Sequence, residues 1–311
     1  MNILDRLNAV VDYVERNITD EIDLNHLASI ACCSAYNFQR MFAFITEVSI
    51  VEYIRRRRLT LAALELQHND TKIIDLALKF GYESPVSFTR AFQAVHGITP
   101  SEAKKANTTL KAFPRMTFQI IIKGVSEMNY RIVKTPSFQV FGLEGTVPSN
   151  IYGEINFNAI GATWGKYYQN GGHEQLEKDS CNEKLPFYRE MFVMEHMCPI
   201  HALYTCKKVD DSNYGYMLCS FVTSESKHDG YAIFDIPETT WAVIPSNIDD
   251  DCSDLGKTLL GLARRFYTEW LPTSEYEMAD GPQFEMQGWV NGVFPEGHSY
   301  WELWMPIVKK P

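Results

Sequence analysis

Glu302, near the C-terminus, is the acidic residue whose neighbours most favour binding chemistry. It lies in the run Tyr300-Trp-Glu-Leu-Trp304, where strand alternation puts Tyr300, Glu302 and Trp304 on one face. A carboxylate between aromatic rings is costly to bury unless a positive group pairs with it. That group is either a fixed Arg or Lys of the protein or a bound cation, which the rings would also attract. The pattern therefore predicts either a cation site or an internal ion pair.

Other groupings that could do chemistry are weaker. His196, Cys198 and His201 form the one cluster with metal-ligating side chains, but their spacing matches no standard zinc pattern. The chain has no G-x-S-x-G, no G-x-G-x-x-G and no phosphate-binding loop. We therefore expect no metal, no cofactor and no enzymatic activity.

Two arginines, Arg40 and Arg90, stand at equivalent places of an internal repeat. A shift of 50 residues puts the run Phe38 to Phe42 on the run Phe88 to Phe92. The same shift puts Ser34 on Ser84, Leu24 on Ile74 and Leu27 on Ala77. A repeat of this detail predicts two units with the same fold.

Each unit has the pattern of a helix, a turn and a second helix. In the second unit Gly81 suits a tight turn, Ser84 is a good helix N-cap and Pro85 fits the first helical position. Phe88, Ala91, Phe92 and Val95 form one apolar stripe, which leaves polar side chains outside. The pattern predicts a helix-turn-helix whose outer face suits base edges and phosphates.

A segment with good helix formers joins the units. Val51 to Leu66 contains no Gly or Pro, so we expect one rigid helix. Two recognition helices on such a connector can enter successive major grooves, roughly 34 Å apart. The sequence thus predicts an all-α DNA-binding domain of two helix-turn-helix units joined by a long helix.

Residues 1–108 resemble the DNA-binding domain of the AraC/XylS family of bacterial transcription regulators. The resemblance includes Gly81-Tyr82, Arg90-Ala-Phe92 and the closing run Gly97 to Glu102. It implies double-stranded promoter DNA and RNA polymerase as partners. It also implies that early residues of each recognition helix read bases, namely Ala35, Tyr36, Gln39, Arg40, Pro85, Val86, Ser87 and Arg90. The first unit departs from the pattern at Glu47, where the second has Gly97, and at Cys32-Cys33 in its turn.

The second predicted domain, residues 112–311, follows a linker between Ala106 and Arg115. Two Pro-containing strands, near Pro136 and Pro237, each precede a helical stretch and two further strands. This duplicated strand-helix-strand-strand unit predicts an α+β domain with helices on one face of an antiparallel sheet.

This half resembles a GyrI-like effector-binding domain. The resemblance is carried by Leu271 to Tyr276, Asp280-Gly-Pro282 and Tyr300 to Pro306. It implies a cleft between two pseudo-repeated units, with an acidic residue of the last strand, here Glu302, facing the bound molecule. The aromatic residues that we expect beside it are Trp304, Trp241, Tyr204, Tyr216 and Trp164.

The charge of the chain is divided unevenly. The 311 residues carry a net charge of −10, whereas residues 1–110 hold 12 Lys and Arg against 13 Asp and Glu. The acidic remainder is a plausible host for cations. No apolar run is long enough to cross a bilayer, no secretory signal pattern opens the chain, and the seven Cys have no paired spacing. We expect a cytoplasmic protein that has no membrane partner.

Together these patterns predict a sequence-specific transcription regulator whose C-terminal domain binds a small amphipathic or cationic effector. Two alternatives stay open for that domain. One is a protein-interaction module, and the other is a hydrolase with Glu302 as general base, because a carboxylate in an apolar cleft can have a raised pKa. The operator, the effector and the sign of regulation are left open.

Overall fold

The computed structural model describes residues 3–69, 71–105, 108–118, 128–148, 157–181, 196–210, 213–246, 255–289 and 300–310. The chain divides into two compact units, Met1–Ile122 and Lys123–Pro311. Within the described ranges, no helix has both the length and the apolar character needed to cross a membrane.

The first unit is helical. Its elements are α1 (Ile3–Arg16), α2 (Leu24–Ile30), α3 (Ala35–Thr46), α4 (Ile50–His68), α5 (Ile73–Lys79), α6 (Pro85–His96) and α7 (Pro100–Ala103). α4 is the predicted connector, 19 residues long. The predicted stripe packs inward, since Phe88 and Phe92 are fully buried in one cluster with Leu59 of α4. The predicted two-unit helical architecture is confirmed.

The polar residues at the helix starts explain why the helices begin where they do. The side chains of Ser34 and Ser84 accept hydrogen bonds from backbone N–H groups in the first turns of α3 and α6. Ser49 does the same at α4, and Thr99 forms a reciprocal capping box with Glu102 at α7. These bonds satisfy donors that a helix start otherwise leaves unpaired.

The repeat has two registers. α3 and α6 start 50 residues apart, as predicted, but α2 and α5 start 49 residues apart. The predicted equivalence of Leu27 with Ala77, and of Leu24 with Ile74, is therefore wrong by one residue. Leu27 corresponds instead to Leu76, and both are fully buried. The physical reason is that the second turn contains one residue more before its N-cap serine.

The stretch predicted as a linker is fastened to the helices. Gln67 Nε2 donates to the Thr108 carbonyl at 3.0 Å, and the Phe113 N–H donates to Thr60 Oγ1 at 3.1 Å. Asn8 exchanges two hydrogen bonds of 2.9 Å with the backbone of Phe118. Residues 108–118 thus run over the helical unit as an ordered strap. Residues 116–118 are not in a strand, and the rest of the strand predicted over Met116–Lys123 lies outside the described residues.

The second unit is built on one antiparallel sheet. Its strands are β1 (Arg131–Thr135), β2 (Phe138–Pro148), β3 (His196–Met197), β4 (His201–Lys208), β5 (Asn213–Phe221), β6 (Ala232–Ile236), β7 (Thr239–Pro245), β8 (Tyr276–Met278), β9 (Gln283–Trp289) and β10 (Tyr300–Lys309). Its helices are α8 (Phe157–Gln169), α9 (Gly172–Asp179), α10 (Leu255–Arg265), a π-helical turn (Phe266–Trp270) and α11 (Leu271–Thr273).

The strand order is β1-β7-β10-β9-β4-β5-β2-β6, with β3 beside β9 and β8 beside β10. Two strands precede each long helix, β1 and β2 before α8, β6 and β7 before α10. Among the described residues each half therefore contains five strands, two more than the predicted unit, and one of the five, β3 or β8, is short.

One face of the sheet carries a continuous buried apolar cluster. Val133 of edge strand β1 and Ile236 of the other edge strand, β6, belong to one buried cluster with residues of the central strands. We call the face that carries this cluster the inner face. Trp241, Trp304 and Phe284 fill it.

Candidate nucleic-acid interface and ligand site

The recognition helix of the second unit, α6, presents its predicted contact residues to solvent. Val86 is 62% exposed, Ser87 and Arg90 are also exposed, and Pro85 is half-buried. In the part of the chain that the structure describes, Arg90 makes no hydrogen bond or ion pair. A free guanidinium beside small side chains at a helix surface is suited to bidentate contact with a guanine edge or with a phosphate.

The recognition helix of the first unit, α3, is different. Ala35 and Gln39 are half-buried, but Tyr36 is only 5% and Arg40 only 4% exposed. Arg40 Nη1 donates to the Tyr36 hydroxyl at 2.7 Å, and its guanidinium lies 5.4 Å from the ring centroids of Tyr36 and Phe44. In this structure these two predicted base-reading residues are inside the protein.

Glu302 lies on the inner face of the sheet and is fully buried. Arg131 donates two hydrogen bonds of 2.7 Å to its carboxylate, one to each oxygen. Tyr300 and Trp304 donate two more, at 2.6 and 2.8 Å, which confirms that alternation puts these three side chains on one face. Of the two partners that the sequence left open for Glu302, the structure contains the fixed arginine.

Arg131 and Glu302 neutralise each other's charge within the protein. Burial disfavours the charge of Arg131, but the hydrogen bonds to Glu302 and the attraction of its charge together outweigh that effect and raise the pKa of the guanidinium. Burial, together with the Glu302 charge, raises the pKa of the Tyr300 phenol far above its usual range. Trp241 packs edge-on against Trp304 at 6.0 Å and donates to Thr135 Oγ1 at 2.9 Å.

A second buried carboxylate, Glu285, lies on the opposite face, which we call the outer face. Glu285 of β9 pairs with Leu303 of β10, and Leu303 points away from Glu302. Glu285 is 6% exposed and accepts a hydrogen bond of 2.9 Å from the Tyr204 hydroxyl. Glu285 was not among the site residues expected from the sequence, although it alternates with Phe284 and Met286 as Glu302 alternates with large apolar residues.

Three predicted ligand residues lie on this outer face rather than near Glu302. Tyr204 and Tyr216 are cross-strand partners, 1% exposed each, with edge-to-face rings 5.1 Å apart. Trp164 of α8 donates to the Tyr216 hydroxyl at 2.8 Å. Burial, with the Glu285 charge, raises the pKa of Tyr216 well above its usual range. The Tyr216 phenol therefore stays protonated.

The structure thus divides the predicted ligand-binding set into two groups. Glu302, Trp304 and Trp241 share the inner face, whereas Tyr204, Tyr216 and Trp164 form a cluster on the outer face that is bonded to Glu285 through Tyr204. α8 covers the outer face closely, since a side chain at Gly145, opposite Tyr216, would meet Thr163 at 2.7 Å.

No cluster of His, Cys, Asp and Glu in the described ranges could hold a metal ion. His201 is deeply buried, and burial lowers the pKa of its imidazole to about 3.

Comparison with known proteins gives two family matches. A helix-turn-helix domain matches residues 27–106, and the integron-associated effector binding protein family matches residues 131–307. The HTH-type transcriptional activator AarP of Providencia stuartii is 35% identical over 102 residues, 33% of this chain and 76% of AarP. The regulatory protein SoxS of Salmonella typhimurium is 33% identical over 96 residues, 31% of this chain and 90% of SoxS.

Among solved structures, SAV2435 bound to tetraphenylphosphonium has a TM-score of 0.40 and 15% identity, covering 58% of this chain and 94% of that one. A similarity of this size does not transfer its ligand. The two family matches cover separate parts of this chain, and the second alone covers more than half of it. The protein therefore belongs to the AraC/XylS family of DNA-binding transcription regulators and carries a C-terminal GyrI-like effector-binding domain of the integron-associated effector binding protein family.

Proposed function

We propose that this regulator senses a small amphipathic cation, held on the outer face of the sheet by Glu285. The observation that carries the proposal is the convergence of Tyr204, Tyr216 and Trp164 around that buried carboxylate. Ring faces and a carboxylate together attract an organic cation more strongly than either group alone. On the inner face, Glu302 is paired with Arg131.

Glu302, Trp304 and Trp241 remain the alternative site for the effector. A cation there would have to displace Arg131 and compensate the two hydrogen bonds that its guanidinium makes. Removing one partner of such a pair leaves a buried charge, which is strongly unfavourable. This cost favours the Glu285 site.

Entry to Glu285 requires α8 to move, because Tyr204, Tyr216 and Glu285 are all buried. The helix is suited to such movement. Of residues 160–169, whose burial the structure describes, only Ile160 is buried. Gly161 and Gly165 each weaken a helix by about 1 kcal/mol relative to alanine.

The test uses the full chain and two isosteric probes, benzyltrimethylammonium and the neutral neopentylbenzene. We expect the cation to bind more tightly, and Glu285→Gln to weaken it by about ten- to a hundredfold, as for a charged hydrogen-bond partner. Glu302→Gln is the matched control and should leave the affinity within about twofold if it stays folded. Calorimetry measures both. The reverse ranking of the two variants would move the site to the inner face.

For the DNA-binding unit, we propose that α6 contacts bases through Pro85, Val86, Ser87 and Arg90, and α3 through Ala35 and Gln39. Tyr36 and Arg40 join them only after the first recognition helix rearranges. Contact with RNA polymerase, and promoter specificity itself, are part of the same proposal. In vitro selection of DNA by the full chain tests it, since a two-helix reader yields two conserved half-sites about one turn apart.

We also propose that the sheet domain arose by duplication of one unit. We further propose that the chain has two functional domains, residues 1–108 and residues 112–311. The strand order supports the duplication. Read inward from its two ends, the order gives pairs of strands that occupy the same place in the two halves: β1 and β6, β7 and β2, β10 and β5, β9 and β4. Limited proteolysis tests the limits. Cleavage confined to residues 109–111 would support them, and protection of those residues, which belong to the strap, would argue for a later boundary.

A further inference from the structure

A cavity of about 440 Å³ lies within the DNA-binding unit. One wall comes from the start of α2 in the first helix-turn-helix, and another from the turn Phe80-Gly81-Tyr82 in the second. The connector α4 forms its floor with Val51, Ile54 and Arg58. The volume is within the range of small-molecule sites, about 300–1,000 Å³. Residues of both helix-turn-helix units line the cavity, so an occupant would contact both.

The cavity is amphipathic. Ile22 and Leu24 of the α2 wall join Val51 and Ile54 of α4 to give an apolar surface. Val51 is 39% exposed at the rim, although it is a β-branched aliphatic residue. Such a surface suits a hydrocarbon, and it offers nothing to a hydrated phosphate.

Arg58 supplies a fixed positive charge. Its Nε donates to the Ile18 carbonyl at 2.8 Å and its Nη2 to the Asp20 carbonyl at 2.6 Å. Both acceptors are neutral, and the structure records no ion pair for Arg58 with any residue that it describes. The remaining nitrogen, Nη1, points toward Gly81, where an added Cβ would lie 3.2 Å from it. Two nitrogens of the guanidinium are therefore held in place, while Nη1 lies beside Gly81, and both Arg58 and Gly81 line the cavity.

Tyr82 also lines the cavity and carries a hydroxyl. Its ring packs edge-on against Phe88 at 5.4 Å, which fixes its direction. Burial raises the pKa of this phenol, so it remains a donor. The hydroxyl makes no hydrogen bond to any described residue. The other arginine of the lining, Arg55, is already paired with Glu52 at 2.7 Å.

We propose that this cavity binds a small amphipathic carboxylate, with its head group at Arg58 Nη1 and the Tyr82 hydroxyl and its hydrocarbon on Ile22, Val51 and Ile54. A carboxylate accepts from a guanidinium and a phenol at once, and the charge-assisted bond is the stronger of the two. The acidic lining residue Glu21 is exposed, where water and salt screen its repulsion. Because both helix-turn-helix units line the cavity, its occupancy is coupled to their spacing and hence to DNA affinity.

The experiment is calorimetry on the full chain with three probes that share one tail: octanoate, octanol and octyltrimethylammonium. We use the Glu285→Gln background, which removes the carboxylate of the proposed effector site. Octanoate should bind one equivalent per chain, about tenfold or more tightly than octanol, because the alcohol lacks the charge-assisted bond. Octyltrimethylammonium should not bind.

Two variants locate the site. Val51→Glu puts a carboxylate at the exposed rim and should weaken octanoate about tenfold, whereas its neutral isostere Val51→Gln should change it less than about twofold. Tyr82→Phe keeps the ring and should weaken octanoate binding about fivefold, because it removes one neutral hydrogen bond. Equal binding of octanoate and octanol, or equal affinity in both Val51 variants, overturns the proposal. A cavity that binds DNA phosphate instead would also overturn it. In that case octanoate would not bind, and Val51→Glu, but not Val51→Gln, would weaken binding to in vitro selected DNA.

Discussion

The two helix-turn-helix units have the same helix starts but expose different recognition surfaces. Ser34 and Ser84 cap α3 and α6 in the same way, and Arg40 and Arg90 occupy the same place after each cap. Yet Arg40 is 4% exposed and bonded to Tyr36, whereas Arg90 is on the surface. An equal position in a repeat therefore does not ensure an equal environment, because the packing around each unit differs.

The units also differ where the chain turns. Gly81 and Gly97 adopt left-handed backbone conformations in the second unit, each with φ of 79°. The first unit holds Cys32 and Glu47 at φ of 56° and 61° in the corresponding turns. Residues with a Cβ are strained in that region, so the first unit keeps its turns at some cost in stability.

The largest expected difference between the units is in folding stability. Arg40→Ala should lower the free energy of unfolding by about 2–3 kcal/mol, because it removes a buried hydrogen bond and two ring contacts. Arg90→Ala should change it by less than about 0.5 kcal/mol, as expected for an exposed side chain. Urea denaturation of the full chain measures both. Equal losses would show that α3 is as open as α6 and would remove the contrast.

A second expected difference is in DNA recognition. Arg90→Ala should reduce discrimination between selected and random DNA by about 1–3 kcal/mol, the value of one good base contact. Arg90→Lys is the matched control, since it keeps the charge but loses the planar bidentate fork. Fluorescence anisotropy at fixed salt gives the two affinities. If Arg90→Lys retains full discrimination, Arg90 contacts phosphate rather than a base.

The smallest expected difference concerns the turns after the recognition helices. Glu47→Gly should stabilise the protein by about 0.5–1 kcal/mol, because glycine accepts the left-handed conformation without strain. Gly97→Ala should destabilise it by about 1 kcal/mol for the opposite reason, although an added Cβ would meet no atom within 4 Å. Thermal unfolding of the two variants checks the signs. Two changes of the same sign would show that the stability of this turn depends on side-chain contacts of Glu47 rather than on its backbone conformation.

The repeat and its caps could be predicted because their causes are local. An N-cap hydroxyl, a capping-box glutamate or an alternating strand acts within about four residues, so Ser84, Thr99 and the face shared by Tyr300 and Glu302 were readable in the sequence. The one error of register, Leu27 on Ala77, came from a single extra turn residue that periodicity does not reveal.

The partners of the candidate sites could not be predicted in the same way. Arg131 and Glu302 are 171 residues apart, and Tyr204 and Glu285 are 81 apart. Which of them meet depends on strand order and register across the whole sheet.

By itself, the sequence determined two capped helix-turn-helix units, a rigid connector and an acidic, aromatic α+β domain. Only the tertiary structure decided that Arg131 neutralises Glu302, that Tyr204 and Tyr216 face Glu285 and that Arg40 is buried. The physical reason is the distance along the chain over which each interaction acts. Backbone capping and alternation are settled by neighbours in the chain, whereas burial and ion pairing depend on groups that the fold brings together from distant positions.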